Sequence, residues 1–174
     1  MAAEASPAKV TEKSEAIRIG RTNAELARRL DGRTRPLFVV PKTAERGETG
    51  AANQVVLGLY DYDHDQSVVA VIDTQREAVV SVRETDAEFQ LSDEERQEAE
   101  RLAEQDPRVA AILRGRKMNA LTRLYFPEKE KAASTHRHAI VFIRPTTSER
   151  WYAVVDLTSD TVVDVISRRE LAGE

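Results

Sequence analysis

The chain has 174 residues, 41% of them apolar and 32% charged, the balance of a globular protein long enough to bury a core without disulfides or metal. No apolar run reaches the roughly 18 residues of a membrane-spanning helix, and a net charge of −4 speaks against sequence-independent nucleic-acid binding. Cysteine is absent, which removes disulfide scaffolds, thiolate catalysis and Cys-type zinc sites together. The stretch from Met1 to Lys9 lacks the basic and apolar regions of a signal peptide. The expected location of the chain as it stands is the cytoplasm, and an export signal trimmed ahead of Met1 would leave no trace.

A first unit is predicted over 10–84. Its opening helix is weakly patterned, because Ile17–Ile19 and Gly20 interrupt the helical spacing. A short helix follows, framed by Asn23 and Gly32. Strands are predicted over 35–41, 54–62, 66–74 and 77–84, with a loop of charged and small residues over 45–52. The last two strands are joined only at Gln75-Arg76, so they must form an antiparallel hairpin. Residues 85–91 connect to a second unit over 92–168. There Ser92-Asp-Glu-Glu95 is a capping box, and Ala99, Leu102 and Ala103 recur at helical spacing. Asp106-Pro107 restarts the helix, with Asp as N-cap and Pro at the first helical position. Val109, Ile112 and Leu113 form its inner face, and Gly115 stands where a left-handed residue would end it. Strands are predicted over 118–126, 138–144, 149–157 and 160–167, with a loop over 128–135 and a hairpin turn at Thr158-Ser159.

The two units are copies. Shifted by 83 residues, Val68–Val82 falls on Trp151–Val165 with 6 of 15 positions identical, including Asp73 on Asp156. The same shift puts Gly32-Arg33 on Gly115-Arg116, and Ala16, Ala27 and Leu30 on Ala99, Ala110 and Leu113. Internal repetition of this kind marks a duplicated supersecondary unit. The expected fold is α+β: two tandem units, each with one or two helices packed on a four-stranded antiparallel sheet, in the manner of cystatin and PepSY domains.

Copy two runs through Leu91-Ser-Asp-Glu-Glu-Arg96, Leu124-Tyr-Phe-Pro-Glu-Lys129, Arg137-His-Ala-Ile-Val-Phe142 and Trp151-Tyr-Ala-Val-Val-Asp-Leu157. In these motifs it resembles the small α/β domains that occur in tandem before the catalytic domain of copper amine oxidases, and less closely PepSY domains. Trp151 stands where that family has Tyr, and Glu88-Phe-Gln-Leu-Ser92 where it has a His-Pro-Leu-Asp-Pro-Leu segment. The resemblance implies an accessory role in amine metabolism, beside a separate oxidase chain that would hold the copper and the topaquinone. No cofactor is expected in this chain: Tyr60, Tyr62, Tyr125 and Tyr152 follow Leu59, Asp61, Leu124 and Trp151, and none follows the Asn that precedes the quinone-forming Tyr.

Several clusters could carry chemistry. His136-Arg-His138 is a metal-binding pair if both rings share a strand face, with His64 of the other copy as third ligand; otherwise these are solvated strand-edge histidines. Asp61-Tyr-Asp-His-Asp65 could hold calcium or a transition metal through Asp61, Asp63, Asp65 and His64, or be a polar hairpin turn. Asp73 and Asp156 fit turn capping better than acid–base work. Arg28, Arg29, Arg33 and Arg35, and likewise Arg114, Arg116 and Lys117, lie near helix C-termini, where cations offset the macrodipole and could receive an anion or acidic partner. The leading expectation is a non-catalytic interaction module that partners a larger oxidase chain and touches neither nucleic acid nor membrane. The alternative is a stand-alone ligand- or metal-binding enzyme domain using a cleft between the units, lined by Trp151, Tyr152, Tyr60 or His138.

Overall fold

The computed structural model describes residues 7–43, 53–127, 136–146 and 149–171. The loops expected over 45–52 and 128–135 lie outside them. The chain divides into two compact units, Met1–Phe89 and Gln90–Glu174.

In the first unit two helices, α1 (Pro7–Gly20) and α2 (Ala24–Asp31), precede four strands: β1 (Thr34–Pro41), β2 (Gln54–Asp61), β3 (Gln66–Asp73) and β4 (Ala78–Thr85). The strands form an antiparallel meander in sequence order. α1 lies across the sheet, and its Ala16 and Ile19 join Leu26 of α2 and Leu57, Leu59, Val68, Ala70 and Ile72 in one fully buried cluster. Each such Leu or Ile contributes about 1.5–3 kcal/mol on leaving water. Of the α1 side chains described, those of residues 12–20, Ala16 and Ile19 are the buried ones. Gly20, a poor helix former, ends the helix where a Cβ would come within 2.9 Å of the Leu26 side chain. Asn23 caps α2 as expected, its Oδ1 accepting from the Glu25 and Leu26 amides at 3.1 and 3.0 Å. Gly32 departs from expectation: it is extended (φ −84°), not left-handed. The turn is held instead by Asp63, whose Oδ2 accepts from the Arg33 amide at 2.9 Å.

In the second unit α3 (Asp93–Gln105) and α4 (Pro107–Leu113) precede β5 (Ala120–Tyr125), β6 (His138–Ile143), β7 (Trp151–Asp156) and β8 (Thr161–Ser167), followed by the short α5 (Arg168–Leu171). The sheet has the same sequential antiparallel order. Both arms of the capping box form: the Ser92 amide donates to Glu95 Oε2 at 2.7 Å and the Glu95 amide to Ser92 Oγ at 3.1 Å. Asp106 restarts the helix, Oδ1 accepting from the Arg108 amide at 2.8 Å. α4 ends one residue earlier than expected. Arg114 takes the left-handed conformation (φ 50°) and Gly115 follows it (φ 77°). α3 packs across the sheet. Ala99, Ala103, Val109, Leu113, Val141, Ile143, Ala153 and Val155 are among the buried side chains of this unit.

The duplication extends to irregularities that no hydrophobic pattern encodes. Glu77 and Asp160, equivalent under the 83-residue shift, are both left-handed (φ 49° and 55°). The β3–β4 ladder breaks register so that Val80 has no partner, and the β7–β8 ladder does the same at the equivalent Val163. The shift is not uniform, however. Gln54 pairs with Asp73, whereas His138, not Arg137, pairs with Asp156. β6 is thus displaced by one residue, which aligns Leu57 and Leu59 with Val141 and Ile143, all fully buried. Because side chains alternate along a strand, this slip keeps the apolar set on the helix-covered face.

Candidate functional site

The acidic stretch Asp61–Asp65 closes the β2–β3 hairpin, and its carboxylates serve the turn. Buried Asp61 accepts the Asp63 amide at 3.1 Å through Oδ1. Its Oδ2 meets His64 Nδ1 at 2.9 Å and accepts from the Arg29 guanidinium at 3.3 Å. Asp63 holds the Arg33 amide, and Asp65, left-handed at φ 49°, accepts from the Tyr60 hydroxyl at 3.3 Å. Arg29 also donates to Glu84 at 2.6 Å, and this interaction raises its pKa. The result is a turn cross-braced by α2, beside a cavity of about 420 Å³ lined by charges of both signs, including Glu25, Arg28 and Arg29. Arg33 lies over the Tyr62 ring at 5.5 Å. Arg35 pairs in the ladder with Tyr60.

Of the two histidines of the second unit, His138 corrects the solvated-edge expectation. His138 is buried, and its Nδ1 lies 2.8 Å from the His136 carbonyl oxygen. His136, half-buried ahead of β6, meets Asp156 Oδ2 through Nδ1 at 2.7 Å. The rings are near-parallel with centroids 6.4 Å apart. Each Nδ1 is thus engaged by an oxygen of the protein. His64 belongs to the other unit. Among the described residues no group of three or more His, Asp or Glu is arranged to hold a metal ion.

Asp73 and Asp156 cap the two hairpin turns in the same way. Asp73 Oδ1 accepts from the Gln75 and Arg76 amides, and Asp156 Oδ1 from the Thr158 and Ser159 amides at 2.8 and 3.1 Å. Burial pushes the Asp156 carboxyl up, but hydrogen bonds from His136, Ser159 and Thr158 outweigh it and leave the pKa below its ordinary value. A lowered folded-state pKa stabilises above the ordinary carboxyl range and is lost as the pH falls through it. Asp156→Asn is therefore expected to flatten the loss of stability between about pH 5 and pH 2, measured by urea unfolding at each pH. Identical slopes for the two proteins would show that Asp156 does not feel these donors.

Tyr60 and Tyr152 are buried and stack edge-on against Tyr62 and Phe142, at 4.8 and 5.2 Å. Each ring thus packs within its own unit. Trp151 is half-buried and borders a cavity of about 400 Å³ with Arg150, Arg168 and Arg169.

An exposed sheet edge is an expected contact for a partner chain, and the structure distinguishes the edges from one another. Strand order makes β1 and β4 the edges of one sheet and β5 and β8 those of the other. An open edge templates association with another chain, and proteins blunt it with prolines or bulges. β1 carries Pro36 and Pro41 and a register break at Leu37. β4 and β8 carry the bulges at Val80 and Val163. β5 has none of these: Ala120 to Tyr125 pair without interruption with Ile143 to His138. The Asn119 carbonyl accepts from the Arg144 amide at 3.4 Å. By alternation residues 121, 123 and 125 turn their backbone groups to β6, and Ala120, Thr122 and Leu124 turn theirs outward. Leu121 is 51% exposed and Phe126, just past the strand, 60%. Thr122 points to the helix side, donating to Glu100 at 2.7 Å.

Comparison with protein-family models gives no match, and comparison with curated proteins gives none either. Among the described residues no helix is long and apolar enough to cross a membrane.

Proposed function

We propose that the chain is a non-catalytic interaction module that docks a larger protein chain along the β5 edge. One observation carries the reading: of the four edge strands, β5 alone has a continuous ladder with neither proline nor bulge, and exposed apolar side chains accompany it. Strand addition to such an edge supplies main-chain hydrogen bonds for affinity and side-chain contacts for selectivity. The resemblance of residues 91–167 to the domains preceding the catalytic part of copper amine oxidases supports an oxidase catalytic chain as the partner class, which would hold the copper and topaquinone.

The test uses photo-crosslinkers at two sites of similar exposure, Leu121 on the open edge (51%) and Val80 at a bulge (55%). In extracts of the native host, the probe at 121 is expected to give a discrete adduct with a longer chain, and the probe at 80 none. Equal adduct patterns from the two positions would sink the proposal. An adduct with a protein other than an oxidase chain would keep the module and discard that partner class.

A further inference from the structure

We infer that the occupant of the β5 edge is an extended acidic segment of the partner, added as a fifth strand; this rests on the docking role just proposed and names its chemistry. From Arg114 to Phe126 the chain carries four cations, Arg114, Arg116, Lys117 and Arg123, and no carboxylate. All four cations are exposed. That is local reversal of sign in a chain whose net charge is −4. The cations sit in the turn leading into β5 and on the strand itself. The only described carboxylate that bonds a β5 side chain, Glu100, lies on the helix side and is engaged by Thr122. Arg123 belongs to the opposite face, together with Leu121.

This arrangement selects among occupants. A second copy of the chain would bring the same four cations to the edge, and like charges along a shared ladder repel. A basic or neutral strand would leave them uncompensated. An acidic strand pairs them, and its own charge at alternating positions keeps it soluble and extended before binding. Outward backbone groups at Ala120, Thr122 and Leu124 fix the reach at about six residues of partner, given the two-residue period of an edge. Leu121 and Arg123 share one face two residues apart, so the partner residues that meet them, one apolar and one carboxylate, must also lie two apart on a single face. Attraction between exposed charges is screened by salt, so affinity is expected to fall with ionic strength.

The experiment selects a phage-displayed random dodecapeptide library on the full chain alone and then measures the selected peptides against Ala120→Pro. That substitution removes an outward N–H without touching the β5–β6 ladder. Circular dichroism and the thermal midpoint report whether the variant is folded. If it is not, the exposed triple charge reversal Arg116→Glu, Lys117→Glu, Arg123→Glu replaces it. The expected outcome is enrichment of peptides in which Asp or Glu stands two residues from a β-branched or aromatic residue. A selected peptide should bind the triple reversal at least about tenfold more weakly than the wild type, and bind the wild type more weakly in high salt. Enriched peptides that are neutral or basic would overturn the acidic assignment while leaving edge docking intact. Peptides that bind wild type and Ala120→Pro equally would overturn both. A wild-type dimer in sedimentation that dissociates on Ala120→Pro would replace the acidic partner with a second copy of this chain.

Discussion

Arg137→Met is expected to destabilise the second unit by about 3–5 kcal/mol, the loss typical of breaking a buried ion pair from one side. Arg137 Nε donates to Glu95 Oε1 at 2.7 Å and Nη2 to Oε2 at 3.2 Å. The two side chains are 1% and 0% exposed. Nη2 also donates to the Gln90 carbonyl at 3.2 Å. Glu95 is at the same time the third residue of α3 and accepts the Ser92 amide. The pair therefore ties the first turn of α3 to the chain entering β6, across 42 residues of sequence. Methionine fills the volume but leaves a carboxylate in the core without its cation. The charge is the cause, so Glu95→Gln with Arg137→Met should recover most of the loss, although the neutral amide is a weaker acceptor for the cap than the carboxylate it replaces. The single Trp of the chain, Trp151, lies in this unit, so urea titration followed by its fluorescence reads the right transition. A loss for Arg137→Met below about 1 kcal/mol would mean that the ion pair is not a structural tie.

Both partners of that pair are visible in the sequence, but not as a pair. Glu95 is legible as a capping-box residue because its partner is three residues away. Arg137 is legible only as the first residue of an apolar run, because what it meets is decided by tertiary packing. The same division runs through the fold. The eight strands, the helix restart at Pro107 and the turn-capping Asp73 and Asp156 are local consequences of alternation, proline chemistry and Asx geometry, and the structure has them where the sequence puts them. The repeat supplies each local signal twice, and with it the two-unit organisation. The one-residue displacement of β6 escapes because a chain aligned without gaps at one offset cannot display it. A polar residue at a strand start reads as exposed, which is why a solvated edge is expected for His138; its burial comes from the elements around it. The candidate docking edge is half legible. Pro36 and Pro41 are in plain view, and so is the run of cations from Arg114 to Arg123. The bulges at Val80 and Val163 are not, because Val-Val-Ser-Val and Val-Val-Asp-Val read as uninterrupted strands. Only with three edges seen to be blunted does the fourth stand out.

Gly58→Ala should cost about 1–3 kcal/mol, the range for overfilling a close-packed site. Gly58 lies in the middle of β2, opposite Phe38 of β1. A Cβ there would stand 2.2 Å from Phe38 Cε1 and 2.3 Å from Cζ, inside any tolerable contact. The ring cannot simply swing clear, because it packs edge-on against Phe89 at 5.0 Å. Relief thus means losing an aromatic contact or bending the β1–β2 pair next to its register break at Leu37. The register-equivalent site in the second unit solves the same volume problem with the sizes exchanged: Leu121 pairs with Phe142, whose ring packs against Tyr152. One bulky ring per pair is accommodated in each case. Phe38→Leu is therefore expected to restore much of the stability of Gly58→Ala, while alone it should weaken the protein by removing the contact with Phe89. A coupling of at least about 0.5 kcal/mol in this double-mutant cycle is the signature of a shared space. The cycle is read by urea denaturation with amide exchange of β2 as the local probe. Additive effects of the two substitutions would show that Phe38 does not occupy the space a side chain at position 58 would need, and that glycine stands there for another reason.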